Sequence, residues 1–480
     1  MKLLLFIILQ VSSPLQKLKN FIDSVQNDND LKTGILAATI RSTSTGDYKL
    51  QVNSDKSVNS ASVLKLVTTA TALSVLKSDF RYQTYFEYDG QIVDSTLYGN
   101  IYIRGTGDPS FGSSRFGIDY SAIFEEVISK IKFAGIKKID GYVLGDGSIF
   151  PENSIADSWV WGDIGNYYGA GVNGLNINEN LYWVYFKPGN SVNDFAPIIR
   201  FSTDLPNLNV TNKVLTGEVG SGDNVIIYNT PLSNQILMQG TVPKGVPEFG
   251  VKGSLPDPAF YAAYILHKKL SENGISVKNQ AISISQYRQI LGYYSKPRTT
   301  ISIYDSPSLA VLAKHCNFQS INLFADAFIK TLGYQYAKDA NFDASVNAVK
   351  AYWNGKGIDL QGFMIKDGSG LSPSGFLTSK NLTDILYSMK SDSSFNDFYN
   401  SIPIVGQSGT VQNLGRRTKA DGNVRAKSGS ISNTRAFAGY FTASNGELMS
   451  FTFIINRYLD GADRKIRKIL EQMMVMMVDI

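Results

Sequence analysis

Ser62-Val63-Leu64-Lys65-Leu66-Val67-Thr68-Thr69-Ala70-Thr71-Ala72-Leu73-Ser74-Val75-Leu76 is the stretch on which the reading of this chain turns. Val63, Leu66, Val67, Ala70, Leu73 and Leu76 recur at helical spacing, which predicts a buried helix with Ser62 at its head. Ser62 and Lys65 then lie one turn apart on the same face. A serine hydroxyl is a weak nucleophile at its free pKa, and an amine that is neutral part of the time can take its proton. That amine must be desolvated or crowded by another cation. The spacing alone is not specific, because Ser74 with Lys77 and Ser129 with Lys132 repeat it, and a capping serine beside a solvated lysine is the ordinary reading of such a pair. What separates Ser62 is the bulky apolar helix that follows at once and would bury Lys65.

Two further polar clusters fit the same chemistry. Ser320-Ile321-Asn322 falls between two helical patterns, where a turn can aim two polar side chains into a cleft; Ser57 with Asn59 and Ser191 with Asn193 show how common the tripeptide is. Lys427-Ser428-Gly429-Ser430 directly precedes a C-terminal hairpin signal, which predicts a sheet strand with Gly429 allowing close approach of a ligand. Lys32-Thr33-Gly34 has a similar composition but stands on the wrong side of Ser62.

Outward from these motifs, both ends of the chain predict a helix and an antiparallel hairpin. Leu15, Leu18, Phe21, Ile22 and Val25 mark an amphipathic helix, followed by strands over 36–41 and 48–52 about the turn Ser44-Thr45-Gly46. Strands over 436–442 and 448–456 flank Asn445-Gly446, and a last helix carries Ile466, Ile469, Leu470, Met473 and Met477. These four strands predict one sheet with the terminal helices packed on a face. Helical patterns fill 309–316, 321–332, 344–354 and 382–389, the last with Ser379 as cap. The middle, from about Phe80 to Thr300, reads as short aromatic-rich strands such as 97–104, 181–186 and 224–228, with helices near 121–133 and from Asp257-Pro258 to Asn273-Gly274.

Composition narrows the function classes. The chain has 480 residues, 43% apolar and 18% charged, and a net charge of +5 from 46 basic and 41 acidic side chains. That balance gives no argument for a nucleic-acid partner, and no apolar run approaches the roughly 20 residues of a membrane span. One cysteine, Cys316, and two histidines, His267 and His315, exclude an intrachain disulfide, a cysteine-ligated metal cluster and a three-histidine zinc site. Met1-Lys2 and the apolar run Leu3 to Leu9 predict an export signal over 1–13.

The order Ser-x-x-Lys, Ser-x-Asn, Lys-Ser-Gly, on helix, inter-helix turn and strand, resembles that of penicillin-binding proteins and serine β-lactamases. More than half of the chain separates Ser62 from Ser320, whereas less than a quarter separates Ser320 from Lys427. The first gap must hold inserted domains, and this resembles the class C low-molecular-mass penicillin-binding proteins, the D-alanyl-D-alanine carboxypeptidase/endopeptidases. The blocks Ile103 to Pro109, Gly145 to Phe150 and Asp367 to Ser372 also look like blocks of that family. This sequence departs from it at Ile321, where Asp is common, at Ser428, where Thr is usual, and at Pro373, where many relatives have Arg.

The resemblance implies an α+β fold: a transpeptidase/β-lactamase-like domain over 14–83 and 300–480, one β-rich inserted domain over 84–97 and 186–299, and a second over 98–185. It implies acyl transfer with Ser62 as nucleophile, Lys65 as base, and Ser320, Asn322 and Lys427 assisting. Lys427 is expected to depress the pKa of Lys65 by its charge. Ser428, Gly429 and Ser430 would meet the substrate carboxylate, and Asp146 the free amine of a peptidoglycan stem peptide. No metal or organic cofactor is expected. The expected ligands are peptidoglycan peptides, with β-lactams as inhibitors, and the expected location is the bacterial periplasm or cell envelope. Competing readings are a serine β-lactamase, a Ser-His-Asp hydrolase using His267 or His315, and an inactive peptidoglycan-binding relative.

Overall fold

The two ends of the chain meet in one antiparallel sheet, in the spatial order Arg425–Ile431, Thr434–Thr442, Leu448–Asn456, Ile35–Ser42, Tyr48–Val52. The computed structural model describes residues 12–117, 119–292 and 296–480. The apolar run expected to act as an export signal therefore lies outside the described residues. Ser13 caps the helix Pro14–Gln26, with proline in its first turn, where a missing N–H costs nothing. This helix and Asp463–Met477 pack together over one sheet face, burying Leu18, Ile22, Ile466, Leu470 and Met473 against Phe451, Phe453 and Ile455. Helix Ser379–Met389 covers the other face. Burial on both faces leaves Leu448–Asn456 buried almost throughout, with Ser450 and Thr452 bonded to Thr383 of the covering helix. Thr378, not Ser379, caps the helix over the sheet, in a box with Asn381.

Helix Leu64–Leu76 is buried nearly all round, from Leu64 through Ser74, against helices Leu309–Gln319 and Asn322–Ala337. Two of its three threonines satisfy their hydroxyls inside the helix, Thr69 donating to the Lys65 carbonyl and Thr71 to that of Val67, both at 2.7 Å, while Thr68 donates to the Gly368 carbonyl. Among the described residues, no helix is long and apolar enough to cross a membrane.

The β-rich insertion closes on itself. Its entry strand Gln83–Tyr88 and exit strand Thr299–Asp305 are antiparallel neighbours, from Thr299 opposite Tyr88 to Asp305 opposite Gln83. Strand pairing crosses the lines expected at 97/98 and 185/186. Ile101–Gly105 pairs with Gln83–Tyr88 on one side and, in parallel, with Val143–Asp146 on the other, while Leu181–Phe186 is flanked by Ile198–Phe201 and Phe249–Ser254. One apolar core runs through these sheets, joining Phe86, Ile103, Val143, Val184, Val214 and Val251. The single strand expected over 97–104 is two, Thr96–Tyr98 and Ile101–Gly105, in different sheets. The chain breaks at Gly99-Asn100, where Asp89 accepts from both the backbone and the side chain of Asn100.

Candidate active site

Ser62 sits in a short 3-10 turn, Ala61–Val63, at the head of its helix; Ser320 is the left-handed C-cap of Leu309–Gln319; Asn322 opens the next helix; Lys427 lies on strand Arg425–Ile431. Folding brings Ser62, Ser320 and Asn322 to the walls of one cleft of about 610 Å³, with Ser430, and sets the buried Lys427 behind Ser320.

Lys65 is fully buried, and its Nζ donates to three oxygens: Ser62 Oγ at 2.9 Å, Asn322 Oδ1 at 2.6 Å and the Ser369 carbonyl at 2.7 Å. Of these three partners only the serine hydroxyl can itself donate a proton. A neutral amine keeps two N–H bonds on the two carbonyl oxygens and so directs its lone pair at the Ser62 hydroxyl. Asn322 is held in the required orientation because its Nδ2 donates to the Tyr168 carbonyl at 2.7 Å. On the far side, Lys427 Nζ donates to Ser320 Oγ at 2.9 Å and to the Ser428 carbonyl at 2.6 Å.

Burial lowers the pKa of both amines. The nearby Lys65 charge pushes Lys427 down further, while Cys316, Asp326 and Asp367 partly oppose the loss at Lys65. Desolvation is the main reason that both amines are depressed, and the repulsion between two neighbouring ammonium groups acts in the same direction.

The block from Asp367 to Ser372 is a turn that presents the Ser369 carbonyl to Lys65. Asp367 accepts from the backbone of Gly370 and Ser372 and from the Trp159 indole at 2.7 to 2.8 Å. Gly370 has φ +77°, and a side chain there would meet the Ala61 carbonyl. Asn59 ties this turn to the nucleophile: its Oδ1 accepts from Ala61, and its Nδ2 reaches the carbonyls of Ser372, Pro373 and Gly375. Asn456 in turn holds the Asn59 backbone, accepting from its N–H at 2.7 Å and donating to its carbonyl at 3.0 Å. Asp326, buried beneath Lys65, has its carboxyl pushed up to about 7 by burial and by Asp367.

Three sequence expectations change. The close approach that Gly429 permits is to this chain, since a Cβ there would meet Ser60 O at 2.8 Å and the Ser62 and Val63 nitrogens at 3.1 Å. Ser428 donates to Thr410 Oγ1 at 2.7 Å, whereas Ser430 is exposed and lines the cleft. Asp146 is buried away from the cleft walls, accepting from Ser148 and paired with Arg298 at 2.8 Å. The carboxylate that lines the cleft is Asp163, which accepts from the Tyr168 hydroxyl at 3.2 Å and whose pKa is raised by partial burial. Its surroundings, Trp161-Gly162-Asp163, carry no periodic signal that could have placed it there. His315 packs edge-on against Phe116, and Cys316 is fully buried with its thiol pushed up to about 12.

Known proteins resemble this chain over most of its length. The chain is 25% identical to the D-alanyl-D-alanine carboxypeptidase of Actinomadura sp. strain R39, covering 92% of this chain and 81% of that protein. It is 26% identical to the D-alanyl-D-alanine carboxypeptidase DacB of Haemophilus influenzae, covering 84% and 81%. The fold matches the crystal structure of penicillin binding protein 4 (DacB) from Haemophilus influenzae with a TM-score of 0.79 at 22% identity, over 95% of this chain and 97% of that one. The model of the D-Ala-D-Ala carboxypeptidase 3 (S13) family matches residues 18–477, and this chain is a member of that family.

Proposed function

We propose that the cleft carries out serine DD-peptidase chemistry on peptidoglycan stem peptides. The observation that carries the reading is the three-oxygen cradle around Lys65, which aims a desolvated amine at Ser62. Ser62 Oγ attacks the carbonyl between the two terminal D-alanines and passes its proton to Lys65 Nζ. The C–N bond breaks, and Ser320, polarised by Lys427, relays a proton to the departing amine. An acyl-serine ester remains, and water added to its carbonyl releases the shortened peptide and restores the Ser62 hydroxyl.

The oxyanion falls to the backbone N–H groups of Ser62 and Ser430, a type of donor worth about 3 kcal/mol each. The terminal carboxylate falls to the Ser430 hydroxyl, which lines the cleft, and an ammonium on the stem side chain to Asp163. A β-lactam enters the same cleft and acylates Ser62. An exported, periplasmic or cell-envelope location fits such a substrate.

Release of D-alanine from a soluble N-acyl peptide ending in D-Ala-D-Ala tests the proposal. The wild type releases it and Ser62→Ala does not. Full turnover by Ser62→Ala would overturn the mechanism.

A further inference from the structure

Helix Asn322–Ala337 meets Lys65 at more than one level. Asn322 accepts from the amine at the cleft wall, and Asp326 and Lys330 follow at four-residue steps, so three polar side chains share one face of that helix. Asp326 and Lys330 are buried. Lys330 is occupied, with its Nζ donating to the Asn153 carbonyl at 2.7 Å and lying 4.6 Å from the centre of the Phe342 ring. Asp326 is occupied on one side only. Its Oδ1 accepts from Gly368 N at 2.8 Å, while Oδ2 is buried and makes no hydrogen bond among the described residues. The turn lies hard against this helix, since a Cβ on Gly368 would meet the Ala325 carbonyl oxygen at 2.6 Å. Asp326 and Lys65 are thus held to adjacent residues of one turn, the first by the Gly368 N–H and the second by the Ser369 carbonyl.

Burial lowers the pKa of Lys65, and Cys316, Asp326 and Asp367 oppose it. Cys316, from helix Leu309–Gln319, keeps its proton up to about 12, which leaves the two carboxyl groups as anions in the working range. They are fitted for different work. Asp367 accepts from Gly370 N, Ser372 N and the Trp159 indole, and these three donors commit it to the turn. Asp326 keeps an oxygen with no donor, so its charge is the one left to answer a charge on Lys65. Burial and the neighbouring Asp367 put its ionisation at about 7. The cations around the pair are Lys330, whose pKa burial lowers to about 8, and Lys427 on the strand, lowered by burial and by Lys65.

We infer that Asp326 is a positioning residue for acylation, setting through its charge how firmly Lys65 holds the proton taken from Ser62. In that step the Ser62 O–H bond breaks and the proton moves to Lys65 Nζ, which becomes an ammonium group in a site closed to water. Asp326 neither gives nor takes a proton there. Its carboxylate offsets the new charge, so Lys65 is a stronger base with Asp326 ionised than without it. The role rests on the serine-acylation reading above.

The test is the pH profile of acylation of the full chain by a chromogenic cephalosporin, followed by stopped flow, with a thermal melt of each protein. Asp326→Asn keeps the shape and the bond from Gly368 but cannot ionise. The acid limb of its profile should lie about one pH unit below that of the wild type, because Lys65 then loses its proton more readily. Its plateau should be about threefold lower, because a weaker base takes the serine proton less well. Should the amide variant fail to fold, Asp326→Ser removes the same charge and should move the limb in the same direction. An acid limb that stays in place in a folded variant, whatever its plateau, would mean that Asp326 serves only the turn and would overturn the inference, as would a shift to higher pH. Both results leave acylation of Ser62 standing. A wild type that is not acylated at any pH would remove that reading, and this inference with it.

Discussion

Replacing Gly429 by alanine tests how closely the third motif is fitted to the first. The added methyl would stand 2.8 Å from the Ser60 carbonyl oxygen, where ordinary contact begins at 3.4 Å, and 3.1 Å from two backbone nitrogens of the nucleophile's turn. These are backbone atoms, so the strain cannot be relieved by rotating a side chain. The turn and the strand must separate by roughly half an ångström. Overpacking of this kind costs about 1–3 kcal/mol, which lowers the melting temperature by about 2–6 °C. The kinetic effect is expected to be larger, because a misplacement of about 1 Å can cost a hundredfold; half of that predicts roughly a tenfold slower acylation. Stopped-flow acylation by a chromogenic cephalosporin, with a thermal melt on the same sample, reads both quantities. Acylation within about twofold of wild type and an unchanged melt would refute the fitted contact between these two motifs.

Other substitutions probe the supports of the site. Asp326 has a folded-state pKa of about 7 against 3.8 for a free side chain, so the folded protein keeps a proton that the unfolded chain releases between those values. Stability should therefore fall as pH rises through that window, and Asp326→Asn should flatten the fall in urea midpoints measured at either end; an identical slope in both proteins would contradict this. Asn456→Ala removes both hydrogen bonds to the Asn59 backbone and leaves buried groups unpaired. The expected loss is about 2–4 kcal/mol by denaturant unfolding, together with slower acylation, and a loss under about 0.5 kcal/mol would remove the anchoring role. The double variant His267→Gln, His315→Gln should retain D-alanine release within about threefold, whereas a hundredfold loss would restore a histidine base.

The nucleophilic motifs were legible because each carries a local signal: an apolar helix after Ser62, a break between helices at Ser320, a hairpin after Lys427. The terminal sheet was legible for the same reason, since Asn445-Gly446 and the flanking apolar runs specify a hairpin without outside help. The supports were not legible. Asn59 and Asn456 are 397 positions apart, and nothing local to either asparagine announces the other. Asp146 was expected at the substrate from the resemblance, and it lies instead in a buried pair with Arg298, because a carboxylate between glycines reads alike whether it caps its own turn or faces a cleft. Gly429 was expected to let a ligand come close, whereas the atoms it admits are the backbone of the turn that carries Ser62, and nothing local to the strand announces that turn. In the insertion, strands distant in the chain pair in parallel, Ile282–Ser283 with Val143–Asp146 and Thr96–Tyr98 with Lys138–Ile139, and neither strand carries a local signal of its partner.

The most direct test of the assembled cleft is the mass of the intact protein after exposure to benzylpenicillin, followed by peptide mapping. One adduct on Ser62, absent from Ser62→Ala and strongly slowed in Lys65→Ala, is the predicted result. An adduct on any other residue, or undiminished labelling of Ser62 without Lys65, would contradict the claim that this amine activates this hydroxyl.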